Sequence, residues 1–88
     1  MEIQYDPSKA ELNARKHGVS FDEATSVLFD PMGLSFEDND SENEHRWVLL
    51  GISSNDRLLV VVYTLRDDEI IRLISARKAT RKEVKQYA

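Results

Sequence analysis

The sequence predicts an α+β fold, in which an antiparallel β-sheet meander carries two N-terminal helices on one face and is followed by a short C-terminal helix. Two capped helical segments come early in the chain, and four strand-like segments then follow one another with no helix between them. The turn-prone pair Asn55-Asp56 joins two of these strands closely, which favours antiparallel neighbours. The predicted order is β-α-α-β-β-β-β-α, in a single domain that covers residues 1–88.

The first strand and the first helix are predicted from their boundaries. Glu2–Tyr5 is a short strand candidate, and Asp6-Pro7 is typical of a helix start, with the aspartate as N-cap and the proline in the first turn. The helix is expected to continue to about His17. Gly18 ends it, because glycine readily adopts the left-handed conformation that closes many helices.

The second helix begins with a capping box, in which Ser20 is followed three residues later by Glu23. Apolar residues recur at helical spacing and predict one buried face. They are Phe21, Ala24, Thr25 and Leu28, where the threonine contributes its methyl group. Asp30-Pro31 ends this helix, because the residue before a proline is driven out of the helical region.

The pattern then changes to the period of a strand. Leu34 and Phe36 alternate with polar residues, which predicts a half-buried strand, and Phe36 and Trp47 are expected to fill the core. Longer apolar runs predict central strands with both faces partly covered. These predicted strands are Arg46–Ser54, Arg57–Arg66 and Glu69–Ser75.

A second capping box near the C-terminus predicts the last helix. Thr80 is followed three residues later by Glu83, and Val84 and Tyr87 then lie on one side of the helix. The chain therefore ends in a short, partly apolar helix.

The charge distribution is uneven along the chain. The net charge is −4, but residues 20–44 carry −8 and residues 66–88 carry +3. Because the field of a protein depends on where its charges lie, the basic C-terminal part can attract phosphate groups in spite of the acidic total. The acidic segment Glu37–Glu44 is open to two interpretations: it binds the basic patch of a partner, or it shields a groove of this chain.

The composition excludes several classes of protein. The first residues lack the basic and apolar regions of a signal peptide, and the longest apolar run, Leu58–Tyr63, is far too short to span a bilayer. Without cysteine there is no disulfide and no thiolate metal site. The alternating acids Asp38, Asp40 and Glu42 lack the glycine and the spacing of a calcium-binding loop. We expect a cytoplasmic protein with no cofactor, no metal and no membrane association.

Two separated motifs resemble the BrnT-type toxin family, and together they span most of the chain. The first contains Asp6, Lys9-Ala10, Asn13, Lys16-His17-Gly18-Val19-Ser20-Phe21, Glu23-Ala24 and Phe29-Asp30-Pro31. The second contains Ile74-Ser75-Ala76-Arg77-Lys78-Ala79, followed by Arg81, Glu83 and Tyr87. Arg46, which precedes an apolar strand containing Gly51, also fits the family. The acidic net charge departs from the family, whose members tend to be basic.

The resemblance implies a RelE-like fold and a metal-independent endoribonuclease that blocks translation. It also implies a cognate ribbon-helix-helix antitoxin, similar to BrnA, which neutralises the toxin and binds operator DNA. RNA is then the substrate, and operator DNA is contacted only through the antitoxin complex. A dimer and a toxin–antitoxin heterotetramer both remain open.

Metal-independent RNA cleavage uses the neighbouring 2′-hydroxyl as nucleophile, so the protein must transfer protons and stabilise charge on the phosphoryl oxygens. Guanidinium groups suit the second task because they hold phosphate in a bidentate fork. The candidate catalytic residues are Arg46, Arg66, Arg72, Arg77, Lys78 and His45, and the candidate RNA-binding residues are Tyr63, Arg81 and Lys82.

Arg77 and Lys78 are the strongest candidates, since they match a family motif and are expected just past the last strand. The alternative is that they cap backbone carbonyls or form a solvated basic surface. Arg72 alternates with Ile70 and Ile74, so it either pairs with an acid or faces a groove.

The remaining candidates also have structural interpretations. Tyr63 can stack on a base or lie in the core with its hydroxyl tethered. His45 has the pKa range for proton transfer, but it can equally be a solvated loop residue. His17 and Lys16 fit the C-terminal end of the first helix, where positive charge is favourable. Glu37 is either a base or part of a solvated loop.

Two other functions compete with the nuclease. The acidic net charge and the lack of a convincing His–Glu pair fit a non-catalytic module that binds an antitoxin-like partner. Direct binding of duplex DNA is a third interpretation, but the basic C-terminal helix lacks a helix-turn-helix partner.

Overall fold

A computed structural model describes residues 2–38, 45–67 and 69–87. Within these ranges the chain forms five strands and three helices. The elements are β1 (Glu2–Gln4), α1 (Pro7–His17), α2 (Phe21–Val27), β2 (Leu34–Asp38), β3 (Arg46–Ile52), β4 (Leu58–Arg66), β5 (Ile70–Lys78) and α3 (Arg81–Tyr87). The predicted α+β class is confirmed. Most of the acidic segment, residues 39–44, lies outside the described residues.

The strands form one mixed sheet with the order β1-β5-β4-β3-β2. The segment from β2 to β5 is the predicted antiparallel meander, but β1 pairs with β5 in parallel, as in the partner residues Ile3 and Ile71. The predicted antiparallel meander is therefore confirmed for β2 to β5, and the added strand β1 makes the sheet mixed. The chain enters at the β5 edge, and its two helices carry it to the far edge, where the meander starts.

The last strand is longer than the sequence predicts. It runs from Ile70 to Lys78, so Arg77 and Lys78 are its final two residues and do not follow it. Their backbones pair with Val60 and Leu59 of β4, and this pairing fixes their side chains on opposite faces of the sheet.

The helix boundaries follow from their caps. Asp6 Oδ1 accepts a hydrogen bond from Ser8 N at 2.8 Å, and Gly18 has the left-handed φ of 68° that ends α1. Ser20 Oγ accepts from Glu23 N at 3.0 Å. At the C-terminus, Thr80 and Glu83 bond reciprocally, which completes the predicted capping box.

The main core lies between α1, α2 and one face of the sheet, which we call the helix face. Phe21 and Val27 of α2 are buried against Leu59, Val61 and other strand residues. The full set of buried residues in this cluster is Val19, Phe21, Ala24, Val27, Leu49, Leu59, Val61, Ile71, Leu73 and Ala76. We call the opposite face the second face.

Phe36 does not fill the core as expected. Its side chain is on the second face, in register with Val48, and it is 46% exposed. Trp47 is half-buried on the helix face. The alternation of β2 predicts which residues share a face, but none of the three helices in the described residues covers the face that Phe36 occupies on this edge strand.

An ion pair between the buried Glu23 and the half-buried Arg57 fastens the β3–β4 turn to α2. Glu23 binds the Arg57 guanidinium with both carboxylate oxygens, and Ser53 Oγ donates to the same carboxylate at 2.7 Å. These contacts, led by the bond from Arg57, lower the pKa of Glu23 to about 2. Arg57 also donates to the carbonyl of Gly18, so it joins both helices to the turn.

The side chain of Asn13 forms hydrogen bonds with the backbone of β5 at the sheet edge, past the point where the short strand β1 ends. Its side chain accepts from Ala76 N at 3.0 Å and donates to Ala76 O at 2.8 Å, as a neighbouring strand would. It also donates to Val19 O at 3.0 Å. A single buried amide therefore links α1, the α1–α2 connection and the sheet.

Replacing Asn13 by alanine leaves these three buried backbone groups without partners. We expect a loss of about 3 kcal/mol in the free energy of unfolding, since each unsatisfied buried group costs on the order of 1–3 kcal/mol. Urea unfolding followed by circular dichroism measures it. The matched control is Leu12→Ala at the adjacent position, which is 63% exposed and should cost less than about 0.5 kcal/mol. Equal destabilisation by the two variants would contradict this role for Asn13.

Candidate functional site

One row of side chains crosses all five strands on the second face, at the end of the sheet away from α2. Residues that pair directly across strands point to the same face. We call this set the arginine row, and its members in order are Asp38, Arg46, Thr64, Arg72 and Gln4. The two guanidinium-bearing residues therefore flank a central threonine.

The hydroxyl of Thr64 is the unusual group in this row. Thr64 is only 4% exposed, and within the described part of the chain its Oγ1 has no hydrogen-bond partner. Buried polar groups are nearly always paired, so this hydroxyl, at the position between Arg46 and Arg72, is a candidate hydrogen-bond donor to a ligand. Sequence analysis did not select Thr64, although a threonine within the apolar run of β4 was a visible signal.

An irregularity in the pairing of β4 and β5 brings more arginines to this face. Val62 pairs with Ser75, but Tyr63 pairs with Leu73, so Ile74 has no opposite residue. Because a bulge of one residue reverses the alternation, Arg72 and Arg77 share a face although five positions separate them. Regular alternation would have put them on opposite faces.

Arg66 and Arg77 are at the margins of the second face. Arg66 is exposed at the end of β4 and pairs with Ile70, one row beyond the arginine row. Arg77 is on the other side, two residues past Ser75. Arg46, Arg66, Arg72 and Arg77 thus come from three neighbouring strands and project from one face.

Arg77 is already engaged by an internal carboxylate. Its Nη1 and Nη2 donate to Glu83 Oε1 and Oε2 at 2.8 and 2.9 Å. The bonds from the Arg77 guanidinium are the largest cause that lowers the pKa of Glu83 to about 2; burial of the carboxylate opposes this shift, and the N–H of Thr80 adds to it. Arg77 therefore ties α3 to the sheet.

Lys78, Arg81 and Lys82 do not join the arginine row. Lys78 pairs with Leu59, a core residue, so it belongs to the helix face at the exposed end of β5. Arg81 and Lys82 are exposed in the first turn of α3. Their positions fit a solvated basic margin.

The sheet separates His45 and Tyr63 from the arginine row. His45 Nε2 lies 2.9 Å from Glu37 Oε1, and its ring centroid lies 5.4 Å from that of Trp47. Tyr63 packs against the core on the helix face, and its hydroxyl lies 3.2 Å from Ser35 Oγ. The proton-transfer candidate and the stacking candidate of the sequence analysis therefore belong to the other face.

Arg72 also lines an open groove at the β1 edge. The groove has a volume of about 580 Å³ and includes Gln4, Tyr5 and the start of α1. It extends the arginine row past the last strand, and its lining combines the Arg72 side chain with Asp6 and with the apolar Ile3 and Pro7. The structure thus defines the class of protein as an α+β protein with arginines from three neighbouring strands on one sheet face.

The comparisons with known proteins narrow this class. The family model described as "Ribonuclease toxin, BrnT, of type II toxin-antitoxin system" matches residues 5–83. The chain therefore belongs to the BrnT family of ribonuclease toxins. A comparison with curated proteins finds no match.

A solved structure has the same architecture. The 1.1 Å crystal structure of the Brucella abortus ribonuclease toxin BrnT superposes with a TM-score of 0.72 at 23% identity, over 92% of this chain and 99% of that chain. At this identity the likeness shows the fold. The RelE-like assignment stays a prediction.

The described residues also lack the features of two other classes of protein, metalloproteins that bind a metal through a cluster of His, Asp and Glu and proteins that cross a membrane with helices. Residues 2–38, 45–67 and 69–87 contain no group of three or more His, Asp or Glu residues arranged to hold a metal ion. In the same ranges no helix is long and apolar enough to cross a bilayer.

The pair between Glu83 and Arg77 makes the stability of the protein depend on pH. Because folding depresses the pKa of Glu83 from 4.5 to about 2, the pair stabilises fully above pH 4.5 and progressively less as the pH falls toward 2. We expect Glu83→Gln to lower the melting temperature at pH 7 and to flatten its decline between pH 4.5 and 2. Thermal unfolding from pH 2 to 7 measures both effects.

The control is Glu11→Gln, which removes an exposed ion pair with Arg15 on α1. Such pairs contribute about 0–1 kcal/mol, so the melting temperature should change little. If the Glu83→Gln curve runs parallel to that of the wild type, the pair does not carry the pH dependence.

Proposed function

We propose that this chain is a metal-independent endoribonuclease that binds the scissile phosphate on the arginine row. The observation that carries the proposal is the buried Thr64 hydroxyl, which has no hydrogen-bond partner among the described residues and lies at the position between Arg46 and Arg72. Membership of the BrnT family supplies the ribonuclease class.

The chemistry follows from the groups in the row. The 2′-hydroxyl of RNA gives its proton to solvent water and attacks the adjacent phosphorus, the bond to the 5′-oxygen breaks, and that oxygen takes a proton from solvent water. Negative charge grows on the two non-bridging oxygens meanwhile. Arg72 and Arg46 are placed to stabilise that charge, and Thr64 is placed to donate a hydrogen bond to one oxygen. Guanidinium groups supply the cationic stabilisation that a metal ion provides in other nucleases.

The biological role follows from the family. As a type II toxin the chain has an antitoxin partner, and we propose that this partner is a ribbon-helix-helix protein that also binds operator DNA. We further propose that cleavage of RNA inhibits translation, which places the activity in the cytoplasm.

A non-catalytic binding module is the second candidate function. The observation in its favour is that His45 and Glu37, which do form a pair, are on the face opposite the arginine row. Expression without antitoxin separates the two functions, because a binding module leaves host growth unchanged whereas the nuclease arrests it.

Arg72→Ala tests the phosphate site. Removing one donor to the developing charge should lower the rate of RNA cleavage by about 100-fold or more, and it should relieve growth arrest. Cleavage of a labelled RNA in EDTA measures the rate. Arg15→Ala, which removes an exposed arginine of α1, is the matched control and should cleave normally. Intact RNA with the wild-type protein would falsify the nuclease, and full activity of Arg72→Ala would place the site elsewhere.

Thr64→Val tests the central hydroxyl separately from folding. Valine has the same shape, and the free protein offers no partner for the hydroxyl within its described residues, so stability should be unchanged or higher. Cleavage should fall about tenfold, because a hydrogen bond to a charged oxygen is lost.

The control for this substitution is Thr25→Val, which removes a hydroxyl that donates to Phe21 O in α2. That variant should retain cleavage. A Thr64→Val protein with undiminished cleavage would show that the hydroxyl does not contact the substrate.

A further inference from the structure

A second groove lies where α1 packs against β5, and it has a volume of about 380 Å³. One side is a stripe of α1 at helical spacing, and the other side is formed by β5. The two sides contribute Lys9, Leu12, Lys16, His17, Ile74 and Ser75. Among the described residues that line the groove, none is acidic. The groove therefore combines two lysines with an apolar wall, and we call it the α1 groove.

The α1 groove continues the groove that borders Arg72. Arg72 lines the first groove and Ile74 lines the second, two residues further along β5, which is about 7 Å. On the other side, Pro7 lines the first groove and Lys9 lines the second, so the start of α1 runs past both. One nucleotide of an extended RNA strand spans such a distance. A strand with a phosphate at Arg72 therefore reaches the α1 groove with its next nucleotide.

Two residues of α1 in this groove are unfavourable choices for the fold itself. Lys9 is in the first turn, where the helix dipole disfavours positive charge, and that turn contains no acidic residue to offset it. Leu12 is apolar but 63% exposed. Lys16 and His17 differ, because they are in the last turn, where positive charge is favourable. A ligand with an anionic part and an apolar part would account for both Lys9 and Leu12.

The two lysines are available to such a ligand. Within residues 2–38, 45–67 and 69–87, neither Lys9 nor Lys16 forms an ion pair, and both are exposed. They are seven residues apart, about 10 Å along the helix axis, with Leu12 between them. A nucleotide matches this arrangement, because its phosphate is anionic and the face of its base is apolar.

We propose that the α1 groove binds the RNA nucleotide next to the scissile phosphate, with its phosphate on Lys9 and Lys16 and its base against Leu12 and Ile74. This inference rests on the proposed function, because it extends an RNA strand that starts on the arginine row. Phosphate contacts and an apolar base contact carry little sequence information, so the groove adds affinity for any RNA.

The first experiment tests the charge of the groove with the double variant Lys9→Gln/Lys16→Gln. The probe is a fluorescein-labelled single-stranded oligodeoxynucleotide of twelve residues and mixed sequence, which lacks the 2′-hydroxyl and is not cleaved. In fluorescence anisotropy with the full chain, the double variant should bind about tenfold more weakly than the wild type. The slope of log Kd against log salt should fall by about 1.4, because each phosphate contact on a single strand contributes about 0.7.

Lys85→Gln is the control for this variant, since it removes another exposed lysine, on α3, and should change neither quantity. A double variant that keeps the affinity and the salt slope of the wild type overturns the proposal. A wild-type chain that does not bind the probe overturns it as well.

The second experiment tests the apolar wall. Leu12→Ala should weaken binding of the same probe about threefold and leave the salt slope unchanged, because it removes apolar contact but no charge. Met32→Ala is the matched control, since Met32 is 70% exposed in the connection between α2 and β2. Melting curves verify that all variants fold. Equal affinity of the Leu12→Ala and Met32→Ala variants overturns the base contact.

A labelled twelve-residue glutamate peptide tests whether the groove belongs to an acidic protein. The peptide carries the charge of the oligonucleotide without its bases, so we expect the chain to bind it more weakly. If the peptide binds more tightly than the oligonucleotide, and the double lysine variant abolishes that binding, the groove is a protein-binding site and the proposal is wrong.

Cleavage assays separate this proposal from the nuclease. The double lysine variant should raise KM for RNA about tenfold and change kcat less than about twofold, whereas Arg72→Ala lowers kcat. If the chain leaves RNA intact but the lysine variant weakens oligonucleotide binding, the groove stands and the proposed activity fails. If RNA is cleaved in an Arg72-dependent way and the lysine variant binds and cleaves normally, the groove fails alone.

Discussion

The pairing irregularity at Ile74 decides which side chains share the second face, and the candidate site depends on it. Before the irregularity, Arg72 pairs with Thr64, and after it Arg77 pairs with Val60. One unpaired residue shifts the alternation of side chains along the strand, so both arginines project from the same side of the sheet. With regular pairing, either the arginine row or the tether of α3 would be on the helix face, where an unpaired charge is costly to bury.

The arginines that share this face have different roles. The guanidinium of Arg77 forms two hydrogen bonds with the carboxylate of Glu83 and thereby holds α3 in place. Arg72 borders an open groove, and with Arg46 it flanks a hydroxyl that has no partner within the described residues. The same residue type thus stabilises the fold at one end of the face and, in the proposed function, binds phosphate at the other.

The acidic net charge of −4 is compatible with this site because the charges are segregated. The carboxylate of Glu23 is neutralised within the fold by Arg57, and that of Glu83 is neutralised by Arg77. Carboxylates that are neutralised within the fold neither repel an external phosphate strongly nor compete with it for the arginines of the row. The local field at the arginine row therefore depends on its neighbours more than on the total charge.

The sequence by itself determined the element order, the helix caps and the α+β class, because caps and hydrophobic periodicity are local. Asp6, Gly18, Ser20 and Thr80 act where their neighbours predict. Family membership was also visible in short motifs, and the family model confirms it. The arginines that form the row were selected from their residue type, but their common face was not.

Only the tertiary structure decided the parallel pairing of β1, the exposure of Phe36, the engagement of Arg77 by Glu83, and the separation of His45 and Tyr63 from the arginines. Each of these depends on register between segments that are distant in the chain. A shift of one residue in pairing moves a side chain through the sheet, and no local pattern records that shift.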